Sequence, residues 1–297
     1  MRVAILHEEL EWSEKEFKRK FEEKGSEVKL FDVRDTDTSE ILDYNPEIAM
    51  NRVYASVANR NYEAIPRTLK MLKRLEDEGV EVINSFEASK SDYDKHYAYD
   101  KMRSSGIYTP KTKVIDSSLP APDIDFPAVI KRARGGRGKD VKLVRNREEL
   151  RKAYSVISED ENYKGKIILQ EFLRSKEGLD HRVCIFRDQF LFGNSRTLIE
   201  KNSDIKWMGS VSSGSELRRF NREENKDIVD LCIKTTESID ADLNVMDVIS
   251  TENGLAIIEN NLTPNFRPRY KEELGFDPVG RIVDGILDPL LVKETVK

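Results

Sequence analysis

Two carboxylate residues and one amide residue near the C-terminus have the types and spacing of a divalent-cation site. Two apolar segments, residues 246–250 and 255–260, flank a turn whose third residue is Gly254, which is a favoured hairpin connection. A hairpin closed by that three-residue turn places Asp247 directly opposite Glu259. Asn261 then lies on the same face, because side chains alternate along a strand with a period of two.

The chemistry of this hairpin follows from charge. Two carboxylates that face each other on neighbouring strands repel, and apolar neighbours strengthen the repulsion. A divalent cation removes the conflict, and a ligand set made only of oxygen atoms favours Mg²⁺ or Mn²⁺ over zinc. The alternative is an edge hairpin whose carboxylates are solvated, or in which one carboxyl has a raised pKa.

A glycine-rich loop provides a second candidate site. It follows a predicted strand that ends in Lys131, whose charge would lie at the base of the loop. The backbone N–H groups of such a loop can wrap phosphate oxygens. The sequence departs from a P-loop, because Ala133 and Asp140 occupy two positions of that motif and a strand follows the loop instead of a helix. The alternative is an ordinary basic hairpin loop. Its glycines are Gly135, Gly136 and Gly138.

Composition excludes several classes of protein. The 297 residues include 50 basic and 55 acidic ones, and the net charge of −5 disfavours nucleic acid and anionic membranes as partners. Two distant cysteines, Cys184 and Cys232, and three histidines disfavour a zinc site or a disulfide scaffold. No apolar stretch approaches about 18 residues, and the opening apolar run is too short for a signal peptide. We therefore expect a cytoplasmic protein without a membrane span.

The elements that position these residues change in character along the chain. The first 90 residues alternate strands and helices, which predicts a parallel α/β sheet, and the first turn lacks a GxGxxG motif. Later residues favour hairpins, separated by helices near 147–158 and 222–239. The strands of the first part are predicted at 3–6, 28–33, 47–54 and 80–83, and its helices at 12–24, at 39–44 after a cap at Thr38 or Ser39, and around 65–75. The hairpins pair 127–131 with 141–144, 183–186 with 189–192, and 246–250 with 255–260.

The order of these segments resembles the ATP-grasp superfamily and, within it, the RimK/LysX-type carboxylate–amine ligases. Five motifs occur in the family order over nearly the whole chain. They are Asp94-Lys95 with Gly106-Ile107 and Pro110, the strand 127–131 with its glycine-rich loop, Gln170-Glu171-Phe172, Asp180-His181-Arg182-Val183, and Met246-Asp247-Val248 with Glu259-Asn260-Asn261 and Pro264.

The resemblance implies a fold and a division of the chain. The fold is an ATP-grasp fold of the α/β (α+β) class, preceded by a parallel α/β domain. Residues 1–90 would form that N-terminal domain, residues 91–165 the central subdomain with the glycine-rich flap, and residues 166–297 the C-terminal subdomain with the metal site. The resemblance also implies a homodimer or a homotetramer.

The resemblance further assigns roles to individual residues. The loop from Arg134 to Gly138 would close over the phosphates of ATP. Asp180 would approach the ribose, and the alternative is a simple ion pair between Asp180 and Arg182. The remaining contacts would be Lys95 and Lys131 to the ATP phosphates, Glu171 and Phe172 to adenine largely through backbone atoms, and Asp247, Glu259 and Asn261 to two Mg²⁺ or Mn²⁺ ions.

The activity implied by the resemblance is an ATP-dependent, ADP-forming ligation. A substrate carboxylate attacks the γ-phosphorus, an acyl phosphate forms, and an amine displaces phosphate to give an amide. The substrates would be small molecules or peptides, with an amino acid or a peptide favoured. Two alternatives are a kinase-like enzyme of the same fold that phosphorylates a hydroxyl group, and a nucleotide-binding protein without catalysis.

One segment departs from the family pattern. The family commonly carries arginines after the D-x-R-V strand, but residues 207–214 contain none, and the arginine expected near Met208 is missing. Arg196 and Lys206 are the candidates to replace it, and solvated charges are the alternative for both. Three arginines are candidates for binding a substrate carboxylate, with surface charge as the alternative. They are Arg52, Arg267 and Arg269, of which we favour Arg267 because it follows the metal strand closely.

Overall fold

The fold contains three larger sheets and one short strand pair. The computed structural model describes residues 1–117, 123–136, 138–200, 205–209, 214–268, 272 and 275–288. Within these ranges the sheets have four, four and five strands, and the additional pair has two. No helix in these ranges is both long and apolar enough to cross a membrane.

The first sheet is parallel throughout and has the strand order β2-β1-β3-β4. Helices cover both of its faces, which is why the apolar run in β1 is buried on both sides. Ile5 packs with Phe17 on one face, whereas Leu6 packs with Leu72 on the other. The elements are β1 Arg2–His7, α1 Trp12–Glu23, β2 Glu27–Asp32, α2 Thr38–Asp43, β3 Ile48–Asn51, α3 Ala64–Asp77, β4 Glu81–Ile83 and α4 Phe86–Tyr93.

Two boundaries in this sheet differ from the prediction. The third strand was expected to run to residue 54, but β3 ends at Asn51 and a 3₁₀ helix covers Ala55–Asn59. Helix α2 is capped by Asp37 and not by Thr38 or Ser39, because Asp37 and Glu40 form a reciprocal capping box.

The central sheet is antiparallel with the order β5-β8-β6-β7. The predicted hairpin between 127–131 and 141–144 is confirmed by the pairing of Val129 with Leu143. Strand β8 lies beyond the subdomain boundary expected at residue 165 and pairs with β5 and β6. The elements are α5 Lys95–Ser104, β5 Thr112–Ile115, β6 Ala128–Arg132, β7 Lys142–Val144, α6 Arg147–Ser158 and β8 Ile167–Glu171.

The third sheet is antiparallel with the order β13-β10-β9-β14-β15. The last two predicted hairpins are confirmed, with longer strands than expected. Helix α7 begins at residue 226, four residues later than predicted. The elements are β9 Leu179–Phe186, β10 Gln189–Thr197, β11 Ile199–Glu200, β12 Lys206–Met208, β13 Leu217–Arg219, α7 Lys226–Ser238, β14 Leu243–Thr251, β15 Gly254–Asn261 and α8 Pro278–Leu287.

Each hairpin of the third sheet contains one β-bulge. The extra residue is Leu191 in the β9–β10 hairpin and Ile258 in the β14–β15 hairpin. One extra residue shifts the pairing of everything beyond it by one position and changes which side chains share a face. The bulges therefore decide which charged residues meet on this sheet.

One hydrophobic cluster joins the first sheet to the third. It unites Ile5 and Phe17 with Phe186, Leu243 and Phe266, which come from distant parts of the sequence. The central sheet has its own cluster, which includes Ile130, Leu150 and Leu169. The first and third sheets therefore share a core that the central sheet does not enter.

Asn84, directly after β4, fixes the first sheet to the third through its side chain. Its Oδ1 accepts hydrogen bonds from the backbone N–H groups of Asp242 and Leu243 at 2.7 and 2.8 Å. Its Nδ2 donates to the carbonyls of Leu243 and Leu262 at 3.0 and 2.9 Å. Asn84 is 2% exposed, so solvent does not reach these four backbone groups in the folded protein.

We predict that Asn84→Ala lowers the free energy of unfolding by about 3 kcal/mol, because four buried backbone groups lose their partners. Urea unfolding followed by circular dichroism measures the change. The exposed Asn162 supplies the matched control, and Asn162→Ala is expected to change the free energy by less than about 0.5 kcal/mol. Equal stabilities of the two variants would contradict this account of the junction.

Candidate functional site

The hairpin β14–β15 places Asp247 opposite Glu259, as the sequence predicts, but through a different register. The expected three-residue turn is wrong, because Thr251 pairs with Gly254 around a two-residue turn. The bulge at Ile258 then shifts the pairing by one residue and restores the predicted pair. The turn is one residue shorter than predicted and the bulge adds one residue, so the two shifts in register cancel and the carboxylates face each other.

Tyr99, on helix α5, supports this bulge. Its hydroxyl donates to the carbonyl of Ile258 at 2.6 Å, and the N–H of Ile257 donates to the carbonyl of Tyr108 at 3.0 Å. Lys131 in turn donates to the hydroxyl of Tyr99 at 3.3 Å. A single chain of hydrogen bonds therefore connects the predicted phosphate lysine to the predicted metal hairpin.

Asp247 is held by two arginines. Arg182, its partner across β9, donates through Nε and Nη2 to the two carboxylate oxygens at 2.8 and 2.9 Å. Arg196 lies 2.9 Å from the same carboxylate through Nη2. Although burial acts in the opposite direction, the two guanidinium groups hold the pKa of Asp247 below its ordinary value. Asp247 is therefore a buried, ionised carboxylate.

Asp180 pairs with Arg196 and not with Arg182, the partner considered from sequence. Arg196 donates through Nε and Nη2 to the two oxygens of Asp180 at 2.7 and 2.8 Å. The two residues are partners across β9 and β10, beyond the bulge at Leu191. Burial and the nearby charge of Asp247 raise the pKa of Asp180 to about 6, against the effect of Arg196.

The segment that lacks the expected family arginine packs against this pair. Gly209 lies so close to Asp180 that a Cβ at this position would overlap the carboxylate. Met208 ends β12, and Lys206 is exposed on the same strand. Of the two candidates for the missing charge, Arg196 reaches the buried site and Lys206 lies on the surface.

Glu259 and Asn261 form the more open half of the predicted metal set. The Glu259 side chain is 44% exposed, and its Oε1 lies 3.6 Å from Nζ of Lys95. The amide oxygen of Asn261 accepts the N–H of Thr263 at 3.0 Å and retains a lone pair. Within the described residues no group of three His, Cys, Asp or Glu side chains could hold a metal ion. Hard oxygen donors fit Mg²⁺ or Mn²⁺. In Asp247, Oδ2 accepts from both arginines, whereas Oδ1 accepts from Arg182 alone.

Lys131, on strand β6 just before the glycine-rich loop, is buried, with 7% of its surface exposed. Its ammonium group lies 5.5 Å from the ring centre of Tyr99. Burial lowers the pKa of Lys131, while the charges of Glu259 and Asp247 act to raise it. The lysine is linked to the predicted metal hairpin through Tyr99.

The glycine-rich loop is held by helix α5 and by the 3₁₀ helix Ala55–Asn59. Lys95 donates through Nζ to the carbonyl of Gly135 at 2.9 Å, and Asn59 donates to the carbonyl of Gly136 at 3.4 Å. A Cβ on Gly136 would lie 3.3 Å from Cβ of Ser56. Gly138 has φ of +67°, which favours glycine. The loop thus needs its glycines both for its own path and for close approach to the 3₁₀ helix.

The predicted adenine residues lie where β8 ends. The carboxylate of Glu171 accepts the backbone N–H of Lys111 at 3.1 Å, and Phe172 is half-buried. Glu171 also lines a cavity of about 410 Å³ together with Arg103, Tyr108, Thr109, Lys111, Thr112 and Lys113.

The three candidate substrate arginines differ in burial. Arg52 is fully buried, which excludes the surface-charge alternative for it. It contacts Glu14 at 3.2 Å and donates to the carbonyl of Pro264 at 2.7 Å, so it joins the N-terminal domain to the segment after β15. Arg267 is exposed, and Arg269 lies outside the described residues.

Sequence reasoning missed two contributors to this site. The sequence does not indicate a role for Tyr99, and it indicates Arg182 only as part of the family motif and as a partner of Asp180. The sequence does contain a signal for the Asp180–Arg196 pair. The hairpin predicted around residues 187–188, when its strands are extended, brings these two residues close together. The bulge at Leu191 shifts that extension by one residue, and local sequence did not indicate it.

Comparisons with known proteins place this geometry in a family. Residues 94–286 match the family model of the RimK-like ATP-grasp domain. The chain is 25% identical over 280 residues to a probable alpha-L-glutamate ligase of Parasynechococcus marenigrum, covering 89% of this chain and 57% of that protein. It is 22% identical over 266 residues to beta-citrylglutamate synthase B of Danio rerio, covering 84% of this chain and 60% of that protein. The chain therefore spans less than two thirds of the length of either relative.

A solved structure has the same fold. The RimK domain protein ATP-grasp of Sphaerobacter thermophilus superposes with a TM-score of 0.65 at 18% identity, covering 97% of this chain and 100% of the other. The predicted ATP-grasp fold, with a parallel sheet at the N-terminus followed by antiparallel sheets, is confirmed.

We predict that Arg196→Met lowers the free energy of unfolding by about 3 kcal/mol or more, because Asp180 is left as a buried charge without its partner. The double variant Asp180→Asn, Arg196→Met is expected to be more stable than Arg196→Met alone. Denaturant titration of both variants measures the coupling.

The control for this cycle is Arg145→Met, which breaks an exposed pair with Glu149 and should cost less than about 1 kcal/mol. If Arg196→Met lowers the free energy of unfolding by less than about 1 kcal/mol, the buried-pair account is contradicted. It is also contradicted if the double variant is no more stable than Arg196→Met.

Proposed function

The chain belongs to the RimK-like ATP-grasp family, and from this premise we propose that it is an ATP-dependent, ADP-forming ligase that joins a carboxylate to an amine. One observation carries the proposal. Lys95 contacts both Gly135 of the glycine-rich loop and Glu259, and Lys131 is linked through Tyr99 to the β14–β15 hairpin that carries Asp247 and Glu259. A triphosphate with its divalent cations requires this combination of charges.

In this proposal Asp247, Glu259 and Asn261 hold Mg²⁺ or Mn²⁺, with two ions expected. The bound cation would offset negative charge on the β- and γ-phosphates. Asp247 and Glu259 supply the negative ligands, and their cross-strand pairing fixes the distance between them. Asn261 adds a neutral oxygen on the same strand as Glu259.

Lys131 and Lys95 would bind the phosphate oxygens from the protein side. Lys131 is buried, so its charge interacts with a phosphate in a region that holds little water and screens weakly. Lys95 already contacts both the loop, at Gly135, and the metal side, at Glu259. It would therefore couple the closed loop to the charges beneath it.

The reaction then needs little covalent chemistry from the protein. An oxygen of the substrate carboxylate attacks the γ-phosphorus, the bond to the bridging oxygen breaks, and ADP leaves. The amine attacks the acyl carbon of the resulting acyl phosphate, phosphate leaves with the bonding electrons, and the amine nitrogen loses a proton. The positive groups around Lys131 stabilise charge that develops on the transferring phosphoryl group.

The nucleoside contacts follow from the same premise. Glu171 and Phe172 would meet adenine through backbone atoms, as the family motif implies. For Asp180 we propose a positioning role in place of a ribose contact. Its side chain is 3% exposed, and both carboxylate oxygens bind Arg196.

For the substrates we propose an amino acid or a peptide on each side, with L-glutamate as the first amine to test. The support is that two relatives of this chain are named as an alpha-L-glutamate ligase and a beta-citrylglutamate synthase. Arg267, exposed beyond the metal strand, is the proposed ligand of the substrate carboxylate.

We predict that phosphate release from ATP and Mg²⁺ requires both a carboxylate and an amine. The assay uses a panel of amino acids, dipeptides and small dicarboxylates, each with and without L-glutamate. Glu259→Gln is the inactive control, because it removes one metal carboxylate. A phosphorylated product formed without any amine would establish the kinase alternative. Binding of ATP with no turnover across the panel would favour a protein without catalysis.

We also predict that Arg267→Ala raises KM for the carboxylate substrate by about tenfold or more, because a charge-assisted hydrogen bond is lost. The values of kcat and of KM for ATP should change by less than about threefold, since the arginine does not bind the nucleotide in this proposal. Steady-state kinetics with each substrate varied in turn measures both. Arg218→Ala, at an exposed position on β13, is the matched control. An unchanged KM would assign Arg267 to the surface.

A further inference from the structure

The two arginines on Asp247 are attached in different ways. Arg196 is 5% exposed in its side chain and is bound to two carboxylates, Asp180 and Asp247. Arg182 is 33% exposed, and in the described part of the chain its ion pair is with Asp247 alone. Arg196 is therefore held by two carboxylates in a buried position. Arg182, by contrast, can leave its position by breaking its ion pair with Asp247, and its side chain is partly exposed to solvent.

Each carboxylate of this network already has a cationic partner before any ligand arrives. Arg182 and Arg196 balance Asp180 and Asp247, and Lys95 lies beside Glu259. A divalent cation that enters alone meets no net negative charge and finds Asp247 already accepting three N–H contacts. It must also approach the guanidinium group of Arg182, which repels it.

We propose that Arg182 is a removable counter-ion of Asp247 that prevents cation binding until a triphosphate arrives. The inference rests on the proposed function, since it takes the nucleotide as the ligand that releases Arg182. The planar guanidinium group binds two oxygens of a phosphate group in a bidentate manner, as it binds a carboxylate, so Arg182 exchanges one anionic partner for another. Asp247 is then free to bind the cation.

Arg196 remains on Asp247 during this exchange, because Asp180 and burial hold it. It keeps one carboxylate oxygen of Asp247 oriented while the other becomes available. The nucleotide and the cation consequently bind together, and the cation alone binds weakly.

The test measures Mn²⁺ binding directly, by electron paramagnetic resonance of the free ion, with the full chain and no substrate. The wild-type chain should bind Mn²⁺ weakly alone and at least about tenfold more tightly with a non-hydrolysable ATP analogue. Arg182→Met should bind Mn²⁺ without nucleotide about tenfold more tightly than wild type, because one repelling charge is gone. A gain of affinity is not produced by a loss of structure.

Two controls locate the effect. Arg187→Met removes an arginine of similar exposure on the same hairpin, paired with Asp242, and should leave Mn²⁺ binding unchanged. Adding Asp247→Asn to Arg182→Met should abolish the gain, which places the ion on Asp247. If Arg182→Met does not fold, the wild-type titration decides, since tight Mn²⁺ binding without nucleotide overturns the proposal.

The outcomes separate this inference from the proposed function. Nucleotide-dependent Mn²⁺ binding by the wild type, with no gain in Arg182→Met, overturns the counter-ion role and leaves the ligase proposal intact. Absence of binding of both the ATP analogue and Mn²⁺ overturns the ligase proposal and this inference with it.

Discussion

The buried carboxylate of Asp247 is the charge around which the third sheet is organised. An ionised carboxylate in this position costs several kcal/mol unless partners compensate it. The compensation comes from two neighbouring strands, with Arg182 directly across β9 and Arg196 reaching over from β10. Because Arg196 also binds Asp180, the positions of four side chains on three strands are coupled through one carboxylate. Changes in this row of charges therefore affect both the stability of the sheet and the proposed cation site.

Local motifs allowed much of this site to be predicted. The remaining contacts depend on the register between neighbouring strands, which the motifs do not determine. Lys131 and the glycine-rich loop were predictable because a strand, a turn and a strand follow one another without interruption. The pairing of Asp247 with Glu259 was predicted through a turn that is one residue too long, and the bulge at Ile258 corrects that error. The adjacency of Asp180 and Arg182 in sequence indicated an ion pair, but the two residues bind different partners across the strands.

The outlines of the fold followed from hydrophobic patterning, whereas contacts between distant segments did not. Ile5 and Leu6 mark a strand buried on both faces, and the parallel first sheet follows from such strands. Nothing local indicates that Arg52 is buried against Pro264 or that Asn84 binds the backbone of two later strands. Arginine side chains usually lie at the protein surface, and only the packing of distant segments explains the burial of Arg52.

The shared core of the first and third sheets has a consequence for how the chain is made. Phe17 packs in one cluster with Phe186, Phe266 and Ile282, so this core is completed only by residues near the end of the chain. The central sheet, by contrast, is local in sequence and has its own core. During synthesis the early strands therefore emerge from the ribosome long before their packing partners do. The central sheet can therefore complete its core soon after it is synthesised, whereas the face of the first sheet that carries Phe17 acquires all of its partners only when residues as late as Ile282 have been added.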